Sequence, residues 1–398
     1  MTTTHDAILA VNAGSSSLKF ALYPQSGTDI GAAPLSGNFE GLEAGGSPLV
    51  KMSSRDGNSI EQLDAGDGTP HERALSALHA VLERHAKGIR ITAVAHRIVH
   101  GGDRFSASVV LNDDTMAYLE TLCSLAPLHQ PHNLAGVRAF RKHFPELPQI
   151  GCFDTAFHAT LPEMEYTFAL PKTLRDEGIR RYGFHGLSYR YVTDRLLEQT
   201  PRAKERMIIA HLGNGASVSA VKEGKSIANT MGFSALDGLV MGTRSGSLDA
   251  GVLLHLLRQG WNREQLERTL YRESGLRGVS GISADMRTLR ASDEPGAKLA
   301  IGIFTHRLVR ECGALSACLR GLDVLAFTGG IGEHDTLLRK EACDALAYLG
   351  VKIDEQANQE ATRDAIMPIH AKDSTVEIWV VPTDEGRVAA QDAAKLIR

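Results

Sequence analysis

The chain carries two hydrophobic periods, one typical of β-strands and the other typical of α-helices. Residues 7–11, 91–95 and 149–153 are short apolar runs that end in small or polar residues, which predicts buried strands. Residues 70–86 and 134–143 place apolar side chains three and four positions apart, which predicts amphipathic helices. Strands that alternate with helices in this way predict an α/β protein.

Part of this pattern recurs in the second half of the chain. Residues 7–23 and residues 207–222 both read as a strand, a Gly-containing turn and a second strand. A repeat of this length predicts a duplicated domain and not a solenoid. The length of 398 residues agrees with two domains, because one hydrophobic core stops growing at roughly 250–300 residues. Two similar domains usually form their ligand site in the cleft between them, so we expect the site there.

The composition is that of an ordinary folded protein, with 43% hydrophobic and 23% charged residues. The net charge of −4 leaves no basic footprint for nucleic acid, and no run approaches the ~20 apolar residues of a membrane span. The five cysteines include no C-x-x-C pair, which indicates reduced thiols and no zinc site. Residues 1–10 lack the basic flank and apolar stretch of a signal peptide. We therefore expect a cytoplasmic protein with no nucleic-acid or membrane partner.

Three Gly-rich turns follow apolar strands, at residues 12–17, 211–216 and 329–333, and a helix over 335–348 is predicted after the third. Glycines in such turns let backbone N–H groups approach phosphate oxygens, although a single turn of this kind is more often only a tight turn. Three of them in one chain favour a nucleotide site. Gly224-Lys225-Ser226 resembles the end of a P-loop, but Ser219 stands where the first glycine is required, so we predict a hairpin turn.

The first of these turns carries several polar side chains on one hairpin. Ser15, Ser17 and Lys19 are two residues apart and share a face in a regular hairpin. Together with Asn12, their hydroxyl, ammonium and amide groups suit phosphate oxygens and the water shell of a magnesium ion. A solvated polar face is the alternative interpretation.

Arginine and histidine residues stand at a strand end and between glycines. Arg97 follows His96 at the end of a predicted strand, and residues 181–186 place His185 before a helix. Arg244 lies between two glycines, where packing does not explain it and where a planar guanidinium suits a carboxylate or a phosphate. The sequence contains neither an H-E-x-x-H zinc motif nor a G-x-S-x-G nucleophile motif.

Two carboxylates follow predicted buried strands. Asp154 comes after the strand at 149–153, and Glu385 lies between a strand at 377–381 and a helix at 387–397. A carboxylate at the carboxyl end of a strand is well placed for catalysis or metal binding in an α/β fold. Each residue could equally cap the segment that follows it, and the sequence leaves both interpretations open.

The stretch Val-Asn-Ala-Gly-Ser-Ser-Ser-Leu-Lys-Phe at residues 11–20 resembles the N-terminal signature of acetate kinases. Further segments resemble that family in the same order, at residues 96–102, 153–158, 181–188, 211–216, 231–246, 274–287 and 329–333. The resemblance implies two ribonuclease H-like domains that close over ATP, as in sugar kinases, actin and heat-shock chaperone ATPases. It implies an N-terminal domain of residues 1–156 with 387–398, and a nucleotide-binding domain of residues 157–386.

The resemblance also implies a role for each candidate residue by its position. Asn12 and Glu385 match the site of Mg²⁺, or of Mn²⁺ in its place. The implied catalytic residues are Asp154 as the family's acid/base, and His185 and Arg244 as groups that stabilise the transition state. The implied substrate-binding residues are Arg97 for the carboxylate, His129, and an apolar pocket of Val99, Leu128, Phe184 and Ala235. The implied nucleotide-binding residues are Ser15, Ser17, Lys19, His211, Leu212, Gly213, Asn214, Gly215, Asp285, Met286, Arg287, Gly329, Gly330, Ile331, Gly332 and Glu333.

The implied reaction is the reversible, magnesium-dependent transfer of the ATP γ-phosphoryl group to acetate, which gives ADP and acetyl phosphate by direct in-line transfer. Acetate is already ionised at pH 7, because carboxylic acids titrate near pH ~4. Asp154 is therefore better explained as an orienting group than as a proton acceptor. A homodimer is implied by the resemblance alone.

Two positions depart from the family pattern. Ala235 stands where proline is usual in the acyl pocket, which keeps a propionate kinase or a broader short-chain acyl kinase as an alternative. His132 stands where proline or a small residue is usual. An alternative of another class is a chaperone-like ATPase of the same superfamily. Such a protein has no use for Arg97 and Arg244, and it needs a peptide-binding domain for which no sequence remains.

Overall fold

The apolar run at the start of the chain forms strand β1 (His5–Ala13), in the middle of a nine-stranded sheet. This sheet belongs to the first of two compact units, unit 1, which holds Met1–Ala156 and Asp384–Arg398. Unit 2 holds Phe157–Thr383. The computed structural model describes residues 5–14, 16–42, 46–54, 57–63, 69–361 and 365–398.

The sheet of unit 1 brings together strands that are far apart in the sequence. After β1 come β2 (Leu18–Ser26), β3 (Asp29–Ile30), β4 (Leu35–Glu40), β5 (Leu49–Ser54), β6 (Gly57–Gln62), β7 (Ile89–Ile98), β8 (Val109–Val110) and β9 (Gln149–Phe153). Their order in the sheet is β6, β5, β4, β2, β1, β7, β9, β8, with β3 paired to β2. Strands β1, β7 and β9 run parallel, and β1 and β2 form the predicted antiparallel hairpin. The carboxyl ends of β1, β7 and β9 therefore meet at one edge of the sheet.

Helices cover this sheet and close its core. They are α1 (Pro70–His85), α2 (Asp113–Thr121) and α3 (Gln130–His143), with 3₁₀ turns at Leu122–Ser124 and Ala156–Thr160. Helix α1 begins with a capping box, in which Glu72 N–H donates to Thr69 Oγ1 and the Glu72 carboxylate accepts from Thr69 N–H. Leu9, Leu78 and Phe140 are among the side chains buried in the core that these helices close. Burial of apolar surface, at roughly 25 cal/mol per Å², is the main term that stabilises such a layer.

Unit 2 is built on a six-stranded sheet. Its strands are β10 (Met207–Leu212), β11 (Ala216–Lys222), β12 (Lys225–Asn229), β13 (Val324–Thr328), β14 (Met367–Pro368) and β15 (Glu377–Val380), in the order β12, β11, β10, β13, β15, β14. Its helices are α4 (Glu163–Tyr166), α5 (Lys172–Asp176), α6 (Gly186–Gln199), α7 (Ala250–Arg258), α8 (Arg263–Arg268), α9 (Gly275–Ser280), α10 (Met286–Arg290), α11 (Pro295–Leu319), α12 (Gly329–His334), α13 (Thr336–Ala345) and α14 (Glu355–Glu360). Shorter turns are 3₁₀ at Pro201–Lys204 and Ala347–Leu349 and π at Thr269–Glu273. The last helix, α15 (Glu385–Leu396), belongs to unit 1.

The two sheets share one plan, as the repeat in the sequence predicts. Strand β10 pairs antiparallel with β11 and parallel with β13, just as β1 pairs antiparallel with β2 and parallel with β7. The turn at Glu223–Gly224 joins β11 to β12, so the hairpin predicted around Gly224-Lys225-Ser226 is confirmed. The mixed α/β architecture with two related sheets confirms the predicted fold class.

One predicted turn is helical. Residues 329–333 form most of α12 directly after β13, and the single helix predicted over 335–348 is replaced by α13 and a 3₁₀ turn. The fully buried Arg339 donates to the main-chain oxygens of Gly332 at 2.9 Å and Glu333 at 2.8 Å. These bonds satisfy carbonyl groups that the end of a short helix leaves open. The glycines predict a turn here, and they carry no information about the hydrogen bonds that Arg339 donates from the next helix.

None of the helices in the described residues has the length and apolar character that crossing a bilayer requires.

Candidate active site

In unit 1, the predicted polar residues of the first hairpin line up beside Arg97. Asn12 of β1 and Lys19 of β2 are direct cross-strand partners, so their side chains share a face of the sheet. Val11 pairs with His96 of the parallel strand β7, which makes Asn12 and Arg97 neighbours on that same face. Sheet register thus places an ammonium, an amide and a guanidinium in one row.

Arg97 is held by two carboxylates. Its Nε and Nη2 donate to Asp154 Oδ1 at 2.9 Å and Oδ2 at 2.7 Å, in a bidentate pair. Its Nη1 lies 3.1 Å from Glu385 Oε2. Asp154 follows β9 and is only 2% exposed, and its own N–H donates to Ile98 O at 3.0 Å, which continues the pairing of β9 with β7. The three residues are therefore assembled by the parallel pairing of β7 with β9 and by the start of α15.

The charge of Arg97 is permanent in this setting. Burial alone would lower the pKa of Arg97, but the charges of Asp154 and Glu385 outweigh burial and hold it above its usual range. Asp154 and Glu385 fix the guanidinium of Arg97 from two sides, so it is a rigid cation. It is suited to binding an anion at the carboxyl edge of the sheet.

Glu385 does not cap α15, so that alternative interpretation is wrong. The cap is Asp384, whose carboxylate accepts from Arg387 N–H at 3.0 Å and from the Tyr23 hydroxyl at 2.5 Å. Glu385 occupies the first helical turn, and its carboxylate is turned to Arg97. Asp154, for which capping was also open, directs both carboxylate oxygens to the same guanidinium.

A buried asparagine, not predicted from the sequence, ties the strand ends of unit 1 together. Asn133 of α3 donates to Ala13 O at 2.7 Å and accepts from Val99 N–H at 3.0 Å. It thereby links the end of β1 to the residue after β7. The helix predicted from the sequence begins one residue later, at residue 134, so no pattern singled out Asn133.

The remaining candidates of unit 1 take no part in the contacts described around Arg97. Ser17 is half-buried, and its carbonyl accepts from Gly14 N–H at 2.8 Å. His129 precedes α3 and makes no side-chain cap. Val99 and Leu128 are half-buried. Ser15 lies outside the described residues.

In unit 2, His185 sits in a strained and well-anchored loop before α6. Its φ of 60° is left-handed, which is uncommon for a residue with a side chain and costs ~1–3 kcal/mol when the surroundings enforce it. The surroundings do enforce it. His158 Nε2 bonds to Phe184 O at 2.9 Å, and Arg181 Nη1 donates to Met231 O at 2.9 Å.

His185 stacks on a second histidine of the predicted nucleotide segment. The rings of His185 and His211 lie 4.2 Å apart with an interplanar angle of 27°. Each ring is bonded through Nδ1 to a serine, His185 to Ser217 at 2.8 Å and His211 to Ser188 at 2.8 Å. Ser188 in turn lies 2.9 Å from Thr383 Oγ1. Both imidazole rings are thus fixed by a hydrogen bond at Nδ1, which leaves Nε2 on the opposite side of each ring.

The Nε2 atoms of His185 and His211 lie next to the Gly-rich turn between β10 and β11. A Cβ atom on Gly215 would lie 3.3 Å from His185 Nε2 and 3.8 Å from Arg244 Nη1. A Cβ atom on Gly213 would lie 3.9 Å from His211 Nε2. The bare backbone of this turn therefore leaves room where an imidazole and a guanidinium converge, as a phosphate cradle requires.

Backbone hydrogen bonds shape the same turn and its neighbour. Gly213 N–H donates to Gly215 O at 3.0 Å, and Gly242 N–H donates to Asn214 O at 3.0 Å. Arg244 Nη1 donates to Ala235 O at 2.9 Å, which orients the guanidinium. The glycines around Arg244 thus bring its loop against the turn at 213–215, and Leu212 before that turn is fully buried.

The last two predicted nucleotide segments are ordered by their own side chains. Glu333 of α12 accepts from Gly329 N–H at 2.8 Å and from Thr383 N–H at 3.2 Å. Asp285 caps α10 and pairs with the exposed Arg287, whose hydrogen bond is the main cause that lowers the pKa of Asp285 to about 2. No contact described in the structure joins residues 285–287 to His185.

The other candidates of unit 2 differ in how far their side chains are buried. Phe184 is 1% exposed and Met286 is 4% exposed, so both are packed inside the unit, whereas Ala235 is half-buried. Gly332 is buried, Ile331 is half-buried, and a Cβ atom on Gly330 would meet open space.

Phosphate-type anions and carboxylates are the ligands that these two clusters suit, which agrees with a phosphotransferase. Comparison with known proteins agrees, because the model of the acetokinase family matches residues 7–391. The chain belongs to the acetokinase family. Its activity is that of a kinase that transfers phosphate to the carboxyl group of acetate.

Individual relatives cover nearly the whole chain. An acetate kinase of Rhodopseudomonas palustris is 48% identical over 396 residues, which are 98% of each chain. The crystal structure of an acetate kinase of Porphyromonas gingivalis matches with a TM-score of 0.87 and 37% identity, over 99% of this chain and 100% of that one. A propionate kinase structure from Francisella tularensis matches with a TM-score of 0.89 and 37% identity, over 98% of this chain and 100% of that one.

Proposed function

We propose that the protein transfers the γ-phosphoryl group of ATP to acetate in line and reversibly, through the residues of the two clusters described above. The observation that carries this proposal is the convergence of His185 and Arg244 on the bare backbone of Gly215. A transferring phosphoryl group needs donors on its equatorial oxygens and room for itself, and this place in unit 2 offers both.

Arg97 is the proposed group that binds the acetate carboxylate. A guanidinium has five N–H groups, and Asp154 and Glu385 engage Nε, Nη2 and Nη1 once each. One N–H on each terminal nitrogen is left for a further acceptor. A carboxylate is the acceptor whose geometry suits two such donors.

Asp154 is proposed as a positioning residue for Arg97 and not as a proton acceptor. Both of its carboxylate oxygens are used by Arg97, and acetate needs no deprotonation because it is ionised above pH ~4. Its effect on the reaction is then indirect. It keeps the guanidinium at one place and in one orientation.

His185 and Arg244 are the proposed groups that stabilise the charge of the phosphoryl group during transfer. The other phosphates of the nucleotide are assigned to the turn after β10 and to the hairpin of unit 1. The proposed nucleotide-binding residues are Ser15, Ser17, Lys19, His211, Leu212, Gly213, Asn214, Gly215, Asp285, Met286, Arg287, Gly329, Gly330, Ile331, Gly332 and Glu333.

Mg²⁺, or Mn²⁺ in its place, is proposed to be held by Asn12 and Glu385. The donor set fits, because an amide carbonyl and a carboxylate are the hard oxygen ligands that Mg²⁺ prefers. Within the described residues, no three His, Cys, Asp or Glu side chains form a metal cluster. Two protein ligands agree with an ion that keeps waters and substrate phosphates in its shell. When bound, the ion neutralises phosphate charge.

Acetate is the proposed acyl substrate, with His129 beside the carboxylate and Val99, Leu128, Phe184 and Ala235 around the methyl group. The family membership and the acetate kinases among the relatives favour acetate over propionate. A short apolar pocket discriminates between these acids by only ~1–3 kcal/mol per methylene.

We also propose a cytoplasmic homodimer. All five cysteines are free thiols, which agrees with a reducing compartment. Helix α7 has no buried residue in the single chain, and its Leu254 and Leu257 are 54% and 49% exposed. A second copy of the chain covering this apolar helix would remove that surface from water. Light scattering of the wild type and of Leu254→Lys measures this directly, and a monomeric wild type contradicts the homodimer.

The reaction is tested by trapping its product. Protein, ATP, MgCl₂ and acetate are incubated with hydroxylamine, which converts acetyl phosphate into a hydroxamate. We expect a hydroxamate whose formation requires both ATP and acetate and is lost in His185→Ala. If no short carboxylate gives a hydroxamate, the proposed reaction is wrong.

A further inference from the structure

A buried hydroxyl chain lies behind His185. Ser217 Oγ is 2.8 Å from His185 Nδ1 and 2.5 Å from the Tyr189 hydroxyl. Ser217 and Tyr189 are both fully buried, one on β11 and the other on α6. Neither residue belongs to the candidate sites that the sequence indicates. The Nδ1 side of the His185 ring, opposite the nitrogen that faces Gly215, thus contacts a chain of two buried hydroxyl groups.

The proton of the Tyr189 hydroxyl goes to Ser217. Burial raises the pKa of the Tyr189 phenol well above its usual range, so it keeps its proton and must donate it. Asn229 Oδ1 accepts from Met231 N–H at 2.9 Å, and Ser217 Oγ is the hydrogen-bond partner that the described residues give the Tyr189 hydroxyl. A fully buried O–H group is costly to leave without an acceptor, so we infer that Tyr189 donates to Ser217 Oγ.

The direction of the next bond follows. Ser217 Oγ accepts from Tyr189, and its own proton has one further acceptor among the contacts of this residue, His185 Nδ1. A histidine that accepts at Nδ1 carries its proton on Nε2 when it is neutral. That nitrogen is the one that faces Gly215, at 3.3 Å from the place of a Cβ atom.

We propose that Tyr189 and Ser217 are positioning residues, which hold His185 in the neutral Nε2–H tautomer and so present a hydrogen-bond donor to the phosphoryl group. The catalytic value of this arrangement rests on the proposed function of His185. The opposite tautomer would turn a nitrogen lone pair toward the oxygens of the phosphoryl group, which repels them. A donor that is fixed before the reaction needs no reorganisation while charge develops.

A second pair in the same unit shows that a serine can fix a histidine in this way. Burial lowers the pKa of His158 to about 4, so its ring is neutral at pH 7. His158 Nε2 lies 2.9 Å from Phe184 O and must donate to it, so Nδ1 accepts from Ser226 at 2.7 Å. The bond from Ser217 to His185 Nδ1 has the same chemistry, but there Nε2 is directed at Gly215.

The tautomer is measured by nitrogen NMR on the full-length protein labelled with ¹⁵N-histidine, in which Nδ1 and Nε2 have different chemical shifts according to which one carries the proton. The His185 signals are assigned by their loss in His185→Gln. We expect the proton on Nε2 in the wild type and a mixture, or the Nδ1–H form, in Ser217→Ala. Tyr189→Phe, which keeps the ring, should give a smaller change in the same direction.

Steady-state kinetics tests the consequence for the reaction. We expect Ser217→Ala to lower kcat about tenfold to a hundredfold while the KM values for acetate and ATP stay within about twofold. Ser217→Thr keeps the hydroxyl and should restore most of the turnover. Ser219→Ala is the matched control, because Ser219 is also buried on β11 but donates to Ala228 O at 3.0 Å. It should leave both the tautomer and kcat unchanged.

Three results are decisive. The proposal is overturned by a proton on Nδ1 in the wild type, or by a Ser217→Ala variant that keeps the wild-type tautomer. It is also overturned if Ser217→Ala shifts the tautomer without lowering kcat while His185→Gln is inactive. If His185→Gln itself retains turnover and the tautomer shifts as expected in Ser217→Ala, the hydroxyl chain is supported and the proposed catalytic role of His185 is refuted.

Discussion

Replacement of Asp154 by asparagine separates a positioning role from an acid/base role. The variant Asp154→Asn keeps the shape of the side chain, but only Oδ1 can still accept from Arg97. The amide nitrogen that replaces Oδ2 faces Nη2, itself a donor, where the wild type has a bond of 2.7 Å. The substitution therefore removes one charge-assisted hydrogen bond and one negative charge from a residue that is 2% exposed.

The loss in free energy of unfolding depends on which partners Arg97 keeps in Asp154→Asn. Removing one partner of a buried ion pair costs about 3–5 kcal/mol when the other charge is left unpaired. Arg97 keeps Glu385 at 3.1 Å, and its side chain is 22% exposed, so we expect a smaller loss of about 2–3 kcal/mol. For a unit of this size, at about 2–4 °C per kcal/mol, such a loss lowers the Tm by about 4–12 °C.

The matched control is Asp6→Asn. Asp6 binds Arg90 through the same bidentate geometry, with both distances at 2.8 Å, but Arg90 is 67% and Asp6 36% exposed. Solvent screens that pair, so Asp6→Asn should leave the Tm within experimental error of the wild type. Comparing the two variants measures the effect of burial at constant chemistry.

The hydroxamate assay gives the functional part of the result. If Asp154 positions Arg97, Asp154→Asn should raise the KM for acetate strongly, because the carboxylate is bound in the ground state as well as in the transition state. An unchanged acetate KM and an unchanged Tm, together with a large loss of kcat at saturating acetate, would refute the positioning role. That outcome would assign Asp154 to the chemical step.

Four further substitutions test the other proposed roles. Arg244→Ala should lower kcat by about 10³-fold or more, as the loss of an arginine that stabilises a phosphoryl group does. Normal turnover in this variant contradicts the role of Arg244. Arg97→Ala should mainly raise the KM for acetate. Wild-type propionate turnover should lie within about a hundredfold of acetate in kcat/KM, and Ala235→Pro, which retains the carbonyl that binds Arg244, should widen the gap. An unchanged ratio would show that Ala235 does not line the acyl pocket. Glu385→Gln should raise the MgCl₂ concentration for half-maximal activity about tenfold or more, and an unchanged magnesium titration argues against Glu385 as a ligand.

The hydrophobic pattern alone predicted an α/β protein with a duplicated strand, turn and strand, whereas the roles of the candidate residues came from the resemblance to acetate kinases. Alternation and apolar runs are local properties, so β1, β2 and β9 could be placed from their own residues, and the repeat of the β1–β2 hairpin in β10–β11 was visible before any contact was known. Glycine turns and residues at strand ends likewise carry their signal in the adjacent sequence. Asn12 and Arg97 were selected in this way.

The tertiary structure alone decided what those residues do to one another. Asp154 and Glu385 both follow strands and both could cap a segment, and only the register of β7 with β9 and the start of α15 turned them to the same arginine. The helical state of residues 329–333 depends on Arg339, and the tautomer that we propose for His185 depends on Tyr189 and Ser217. Ser217 is 32 residues from His185, and although Arg339 is only six or seven residues from its acceptors, both contacts form only in the folded chain. Because the direction of a hydrogen bond depends on every neighbouring donor and acceptor, no local period of the sequence can encode it.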